Sequence, residues 1–280
     1  MLKKSLLALP VALAVGGAAQ LASAAEPYEV LQGVLDAHPD SLYLHQSPQN
    51  VQMMPDNPAM WVVEEGGSLF RTPMGPNNVS LESCDFGKGP GVLEGAYVEL
   101  PRYFEDTGRV MDFESRLVHC MKTIQGFADD APEVTQRHGD TLIMKLSTYV
   151  AAQSNGMAWN PPLDHPLEQA FRAAGEELYF RIAGTHDFNC ATCHSAAGKR
   201  IRASYLPSAN RDYEWTKSIS WPAFRVGHDA VRSSQHRVRE CMWQMRHADP
   251  LPDSDFNVAI LTFWTDKARG QPAILPDLKR

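Results

Sequence analysis

Cys190-Ala191-Thr192-Cys193-His194 is a C-x-x-C-H pentapeptide, the spacing that attaches a c-type haem. Two thiols so spaced can add to the two vinyl groups of one porphyrin, and the next residue can place its imidazole under the iron. Cys190 and Cys193 are therefore read as covalent attachment points for one haem c, and His194 as the proximal iron ligand. The competing uses of such a pair are half of a structural zinc site and a thioredoxin-like redox centre. They need a second C-x-x-C or a βαβ pattern, and the sequence offers neither.

Residues 1–24 combine Lys3 and Lys4, an apolar run from Leu6 to Val15, and Ala22-Ser23-Ala24. These are the charged, apolar and small-residue regions of a signal peptide. The expectation is export to the periplasm, with a mature chain starting at Ala25 in a compartment that permits disulfides. A membrane anchor would need about 20 apolar residues. This run is shorter and is interrupted by Pro10, Gly16, Gly17 and Gln20, and no later segment is apolar enough to span.

The formal net charge is -7, which argues against a nucleic-acid partner. The charge is uneven, however. Lys199, Arg200, Arg202, Arg211, Lys217, Arg225, Arg232, Arg237, Arg239 and Arg246 face only Asp212, Glu214, Asp229 and Glu240 in the same stretch. Such an excess beside a haem suits an anionic substrate or an acidic docking partner; a solvated basic face that neutralises haem propionates is the alternative.

Outward from the motif, the pattern is mainly α. Tyr28 to Pro55 is polar without a sustained period and reads as an extended arm. Asn57-Pro58 opens a helix through Trp61, Val62, Glu65, Leu69 and Phe70. Further helices are expected from Asp112 through Met121, from Leu142 through Val150, and from Pro166 through Tyr179, with no convincing run of strands between them. Gly175-Glu176-Glu177-Leu178-Tyr179-Phe180 echoes Glu65-Gly66-Gly67-Ser68-Leu69-Phe70, and a cysteine follows each after a loop. A small residue and an aromatic on the helix before C-x-x-C-H resemble the small cytochromes c, in which that helix crosses the last one. The fold expected is two cytochrome c-like domains in tandem, only the second binding haem. Its divisions are a signal peptide at 1–24, an arm at 25–56, a haem-less domain at 57–155 and a haem-binding domain at 156–280.

Five cysteines are present, and the haem takes two. Cys84 is followed by Asp85-Phe86-Gly87, so the first half has neither a second thiol nor a histidine where a haem would attach. A Cys84–Cys120 disulfide is the economical use of the next two in an oxidising compartment, against the alternative of two separate buried thiols. Cys241 is left over. Helical spacing puts Val238, Cys241, Met242 and Met245 on one face, with Arg237 one turn before Cys241. A guanidinium there would stabilise a thiolate or a bound anion. The sixth iron ligand remains open among Cys241, Met242, Met245, His228, His236 and His247. His236 and His247 could serve as proton donors or bind a further metal, and otherwise read as solvent-facing helix residues.

The chain resembles the SoxA family, the larger subunits of the SoxAX cytochromes of bacterial thiosulfate oxidation. The resemblance rests on Glu82-Ser83-Cys84-Asp85, Gly91-Val92-Leu93-Glu94-Gly95-Ala96, Glu99-Leu100-Pro101-Arg102-Tyr103-Phe104, Glu114-Ser115-Arg116-Leu117, Cys190 to His194, and Arg237-Val238-Arg239-Glu240-Cys241. It implies that Cys241 is the distal haem ligand and a catalytic cysteine persulfide, and that Arg237 binds the substrate. It implies a transferase that joins thiosulfate to a cysteine of the SoxYZ carrier. Electrons would leave through haem to a cytochrome c acceptor, and a smaller SoxX subunit would be the partner. Some members carry a second haem at a motif beginning where Cys84 stands; this sequence lacks it and resembles the mono-haem branch. A plain periplasmic electron-transfer cytochrome c is the alternative reading.

Overall fold

The computed structural model describes Glu29 and residues 57–195, 199–201, 204–208 and 215–279. The signal peptide, the rest of the arm, and Arg202, Arg211, Asp212 and Glu214 of the basic stretch lie outside the described residues.

Two helix pairs organise the molecule. The first joins α1 (Ala59–Arg71) to α4 (Leu142–Ala152), and the second joins α5 (Pro166–Phe180) to α9 (Asp255–Lys267). Both use the same device. A Cβ added to Gly66 would overlap the Lys145 carbonyl and lie 2.9 Å from Tyr149 Cβ. One added to Gly175 would overlap the Ala259 carbonyl and lie 2.8 Å from Phe263 Cβ. Glycine is needed at both positions because backbone meets backbone there. One turn later an aromatic covers each crossing: Phe70 on Tyr149, with ring centroids 5.6 Å apart, and Tyr179 on Phe263, at 5.3 Å. The hexapeptide echo in the sequence is thus a repeated helix crossing.

Between the pairs lie the hairpin β1 (Arg102–Phe104) and β2 (Arg109–Met111), then α2 (Phe113–Thr123) and the short α3 (Pro132–Thr135). Asp112 caps α2 by accepting from the Ser115 amide at 2.9 Å. Cys84 and Cys120 form a disulfide inside the core, and both are buried. It fastens the loop after α1 to α2.

After α5 come the haem-motif helix α6 (Cys190–His194), a hairpin of β3 (Arg200–Ile201) and β4 (Ser204–Tyr205), and α7 (Trp215–Ile219). A three-stranded sheet then carries β5 (Ala223–Arg225) at its centre. It pairs antiparallel with β6 (Ala230–Arg232) and parallel with β7 (Asp277–Lys279). Helix α8 (Ser234–Gln244) follows β6 directly. The sequence reading expects no convincing run of alternating strands, and these strands do not form one. At two or three residues each they are too short to show an alternating period.

The apolar core is continuous, running from Phe70, Leu81 and Phe86 through Trp159 and Tyr179 to Phe263 and Leu275. Residues 156–159 ladder onto the segment before β7: Gly156 N donates to Ala273 O at 2.9 Å, and Trp159 N to Gln271 O at 3.0 Å. Among the described residues, no helix is long and apolar enough to cross a membrane.

Candidate functional site

Helix α6 is a short helix fixed at its start by Asn189. The Asn189 side chain accepts from Thr192 N at 2.7 Å, while its own amide donates to Thr192 Oγ1 at 3.1 Å, a reciprocal cap. Its Nδ2 donates to the Phe180 carbonyl at 2.6 Å, tying α6 to the end of α5. Cys190, Cys193 and His194 consequently face one cleft that opens to solvent.

His194 Nδ1 lies 2.9 Å from the Pro207 carbonyl oxygen. A carbonyl can only accept, so Nδ1 carries the proton and Nε2 keeps its lone pair for a metal. Burial lowers the His194 pKa to about 4, so the ring is neutral and able to ligate at physiological pH.

From α8, Arg237, Cys241, Gln244 and Met245 line the same cleft. They stand at helical spacings of three and four, so a single face of α8 presents them all. Met242 is buried in the core and is not among the lining residues. Of the six candidates for the sixth iron position, only Cys241 and Met245 reach the cleft. Cys190, Cys193 and Cys241 are all unpaired thiols. Burial, followed by the neighbouring Cys241 sulfur, pushes the Cys190 thiol up to about 12.

Burial disfavours the charge on Arg237, but the Cys241 sulfur and the Glu240 carboxylate outweigh it and raise its pKa. Arg237 Nη1 lies 3.3 Å from Glu240 Oε2, and Arg225 Nη1 lies 3.0 Å from the same oxygen. The Arg237 guanidinium also sits 5.8 Å from the Trp221 ring centre, and Lys279 Nζ lies 5.0 Å from that ring. The basic character expected of this region is real, yet much of it is paired locally.

His236 is buried, not solvent-facing, because it sits at the buried start of α8. Its Nδ1 faces the Arg137 carbonyl at 3.2 Å. The alternative role of His236 and His247, as proton donors or ligands of a further metal, meets different surroundings at the two residues. His247 Nε2 meets the Phe188 carbonyl at 3.0 Å, whereas His236 joins His228 and Glu240, whose ligand atoms lie within 4.8 Å of one another. Arg232 Nε donates to His228 Nδ1 at 3.3 Å, and Arg225 and Arg237 hold Glu240. Three guanidinium groups oppose a dication there, so the cluster reads as an ion-pair hub.

The cleft fits a haem. It offers two thiols for attachment, a preset imidazole, a sulfur from α8, and apolar lining from Leu206 and Trp264. Trp264 Nε1 and Gln244 Oε1 are buried without a hydrogen-bond partner among the described residues, so polar atoms there await a bound group. Sequence reasoning did not single out Pro207, Trp264, Glu240 or Gln244 for roles at this site. Gln244 and Glu240 carried a signal, standing three residues after Cys241 and Arg237 respectively on the same helix.

Comparison with known proteins decides the family. L-cysteine S-thiosulfotransferase subunit SoxA of Hydrogenophilus thermoluteolus is 39% identical over 235 residues, covering 82% of this chain and 85% of the relative. The chain belongs to the SoxA family. A SoxA subunit of Hydrogenobacter thermophilus is 34% identical, with 76% of this chain and 80% of the relative covered. The family model for the SoxA/TsdA cytochrome c domain matches residues 65–159, the half without the C-x-x-C-H motif. The crystal structure of SoxXA from P. pantotrophus shares the fold, with TM-score 0.69 at 24% identity over 89% of this chain and 90% of that one. The mainly helical cytochrome c class expected from the sequence is the one observed.

Proposed function

We propose that this SoxA-family chain is a haem-bearing subunit of an L-cysteine S-thiosulfotransferase. It would conjugate thiosulfate to a cysteine, or cysteine persulfide, of a SoxYZ carrier in sulfur oxidation. The observation that carries this reading is the meeting of Cys241, Arg237 and the C-x-x-C-H residues at one cleft. Family membership supplies the reaction.

In the overall reaction one S–S bond forms between the sulfane sulfur of thiosulfate and the carrier sulfur. The carrier S–H bond breaks, and one proton and two electrons leave. Cys241 acts as a persulfide. Its outer sulfur joins the sulfane sulfur of thiosulfate with loss of two electrons. The carrier thiolate then attacks that sulfane sulfur, taking the thiosulfate unit and returning the persulfide. Arg237 holds the sulfonate charge close to Cys241. Cys190 and Cys193 would hold one haem c covalently, and His194 and Cys241 would be the residues that ligate its iron. Bound haem supplies an electron-accepting couple, with a cytochrome c as final acceptor.

The partner in this reading is a SoxX cytochrome subunit, and the compartment is the periplasm, reached through the signal peptide at 1–24. The repeated crossings at Gly66 and Gly175 support two tandem cytochrome c-like domains, at 57–155 and 156–280. The first would lack haem, because Cys84 is in a disulfide and Asp85-Phe86-Gly87 follows it where the C-x-x-C-H spacing would need a thiol and a histidine.

The test is turnover of thiosulfate with the carrier protein in Cys241→Ser and Arg237→Ala. Loss in both is expected; unchanged turnover in both overturns the transferase reading. Met245, at the same cleft, is the observation that favours a plain electron carrier. In that case Met245→Leu would alter the haem absorption spectrum and Cys241→Ser would leave it intact.

A further inference from the structure

Helix α8 carries both Arg237 and Cys241, and its first turn is buried: Ser233, Ser234, Gln235 and His236 all lie inside the protein. The first amides of a helix have no partner within it and need acceptors from elsewhere. Ser233 supplies its side chain to His236 N at 3.3 Å. The Gln235 amide is served from far away, donating to Glu114 Oε1 at 2.9 Å across 121 residues of sequence.

The Gln235 side chain extends the same joint. Its Nε2 donates to Asp112 Oδ2 at 2.7 Å, and its Oε1 accepts from the Asp253 amide at 2.9 Å. Tyr97, also from the first half, donates to the Trp221 carbonyl at 2.7 Å and lies 3.4 Å from Ser234 Oγ. Two carboxyl groups are thereby buried, which is costly compared with an apolar contact. An apolar contact lets a helix slide along its axis, whereas directional hydrogen bonds at one amide and one side chain fix its register.

We propose that Glu114 and Asp112 are positioning residues for the sulfur chemistry. The half of the chain without the haem motif fixes the axial register of α8, and through it the placement of Arg237 and Cys241. The inference rests on the reading of those two residues given above. A helix transmits the constraint rigidly: at about 1.5 Å per residue, Arg237 lies roughly 3 Å and Cys241 roughly 9 Å along the axis from Gln235. Misplacing a reacting group by 1 Å can cost about 100-fold in rate.

The experiment uses the haem-loaded subunit in its native complex and compares Glu114→Ala, Glu114→Gln and Gln235→Ala. Four properties are read: haem content, amide hydrogen exchange along α8, the low-spin haem EPR signal, and thiosulfate turnover with the carrier. In Glu114→Ala, faster exchange at the start of α8, an altered EPR signal and a ten- to 100-fold loss of turnover are expected. Glu114→Gln, whose amide oxygen can still accept from Gln235, should restore all three. A folded, fully loaded Glu114→Ala protein with unchanged EPR signal and turnover overturns the proposal, even if its melting temperature falls. If Glu114→Ala does not accumulate folded, Gln235→Ala decides by the same criteria. Retained turnover in Cys241→Ser would refute the underlying reading instead, and the exchange and EPR data would still judge the joint.

Discussion

Arg237 Nη1 lies 3.3 Å from Glu240 Oε2, and the carboxylate it meets also holds Arg225. Glu240 thus stands between two guanidinium groups, next in sequence to Cys241. Its side chain is 16% exposed, so solvent weakens the pairing little. Replacing it should free Arg237 to move away from the cleft. Glu240→Ala is expected to raise the thiosulfate KM about tenfold, with a smaller change in kcat, as loss of ground-state anion binding requires. Steady-state kinetics at fixed carrier concentration would check this; an unchanged KM would show that Arg237 keeps its place without the carboxylate.

The buried pair Asp112 and Glu114 gives stability a pH dependence. Burial, then the Asp112 charge, raises Glu114 from 4.5 to about 8. An unfolded carboxyl loses its proton near its ordinary value while the folded one keeps it, so the native state binds more protons between those limits. Stability therefore falls as pH rises from about 4.5 towards 8. Glu114→Gln removes that proton from the balance. It should flatten the decline and be more stable than wild type at pH 8, by an amount on the order of a few kcal/mol. Denaturant titrations at several pH values would show it, and parallel curves for the two proteins would contradict it.

Gly66 and Gly175 make the same helix crossing, so their alanine variants should behave alike. Each added methyl meets a backbone carbonyl that cannot turn aside. A loss of about 1–3 kcal/mol is expected at either position, as for other overpacked interiors. Thermal unfolding of Gly66→Ala and Gly175→Ala would measure it. Gly175→Ala should also lower haem occupancy, because α5 is tied to α6 through Asn189.

The Cys84–Cys120 bond spans 36 residues. In the chain-entropy account, closing a loop of that length is worth about 4 kcal/mol. The Cys84→Ser, Cys120→Ser double variant is expected to lose stability of that order. The haem absorption spectrum should be retained, since neither residue lines the cleft. Denaturant unfolding with parallel visible spectra would separate the two effects.

Much of the site was legible because local chemistry encodes it. C-x-x-C-H names its cofactor through spacing alone, and helical periodicity placed Arg237, Cys241 and Met245 on one face. Periodicity did not say where along that face the cleft lies, which is why Met242 remained a candidate until the cleft was found to be lined by Met245 and not by Met242. His236 was misread for a related reason. A short polar helix looks solvent-exposed in sequence, but the start of α8 is covered by Arg137 and by residues from the first half.

The sequence by itself determined the haem motif, the cysteine count that left Cys241 over, the main helices and the echo of Gly66 in Gly175. All of these depend on neighbours within a few turns of chain. Only the tertiary structure decided that the Pro207 carbonyl sets the His194 tautomer, that Glu240 gathers Arg225 and Arg237, and that Glu114 caps the helix of Cys241. Those contacts join residues brought together by burying the common core, and a hydrogen bond across 121 residues leaves no period or motif to read.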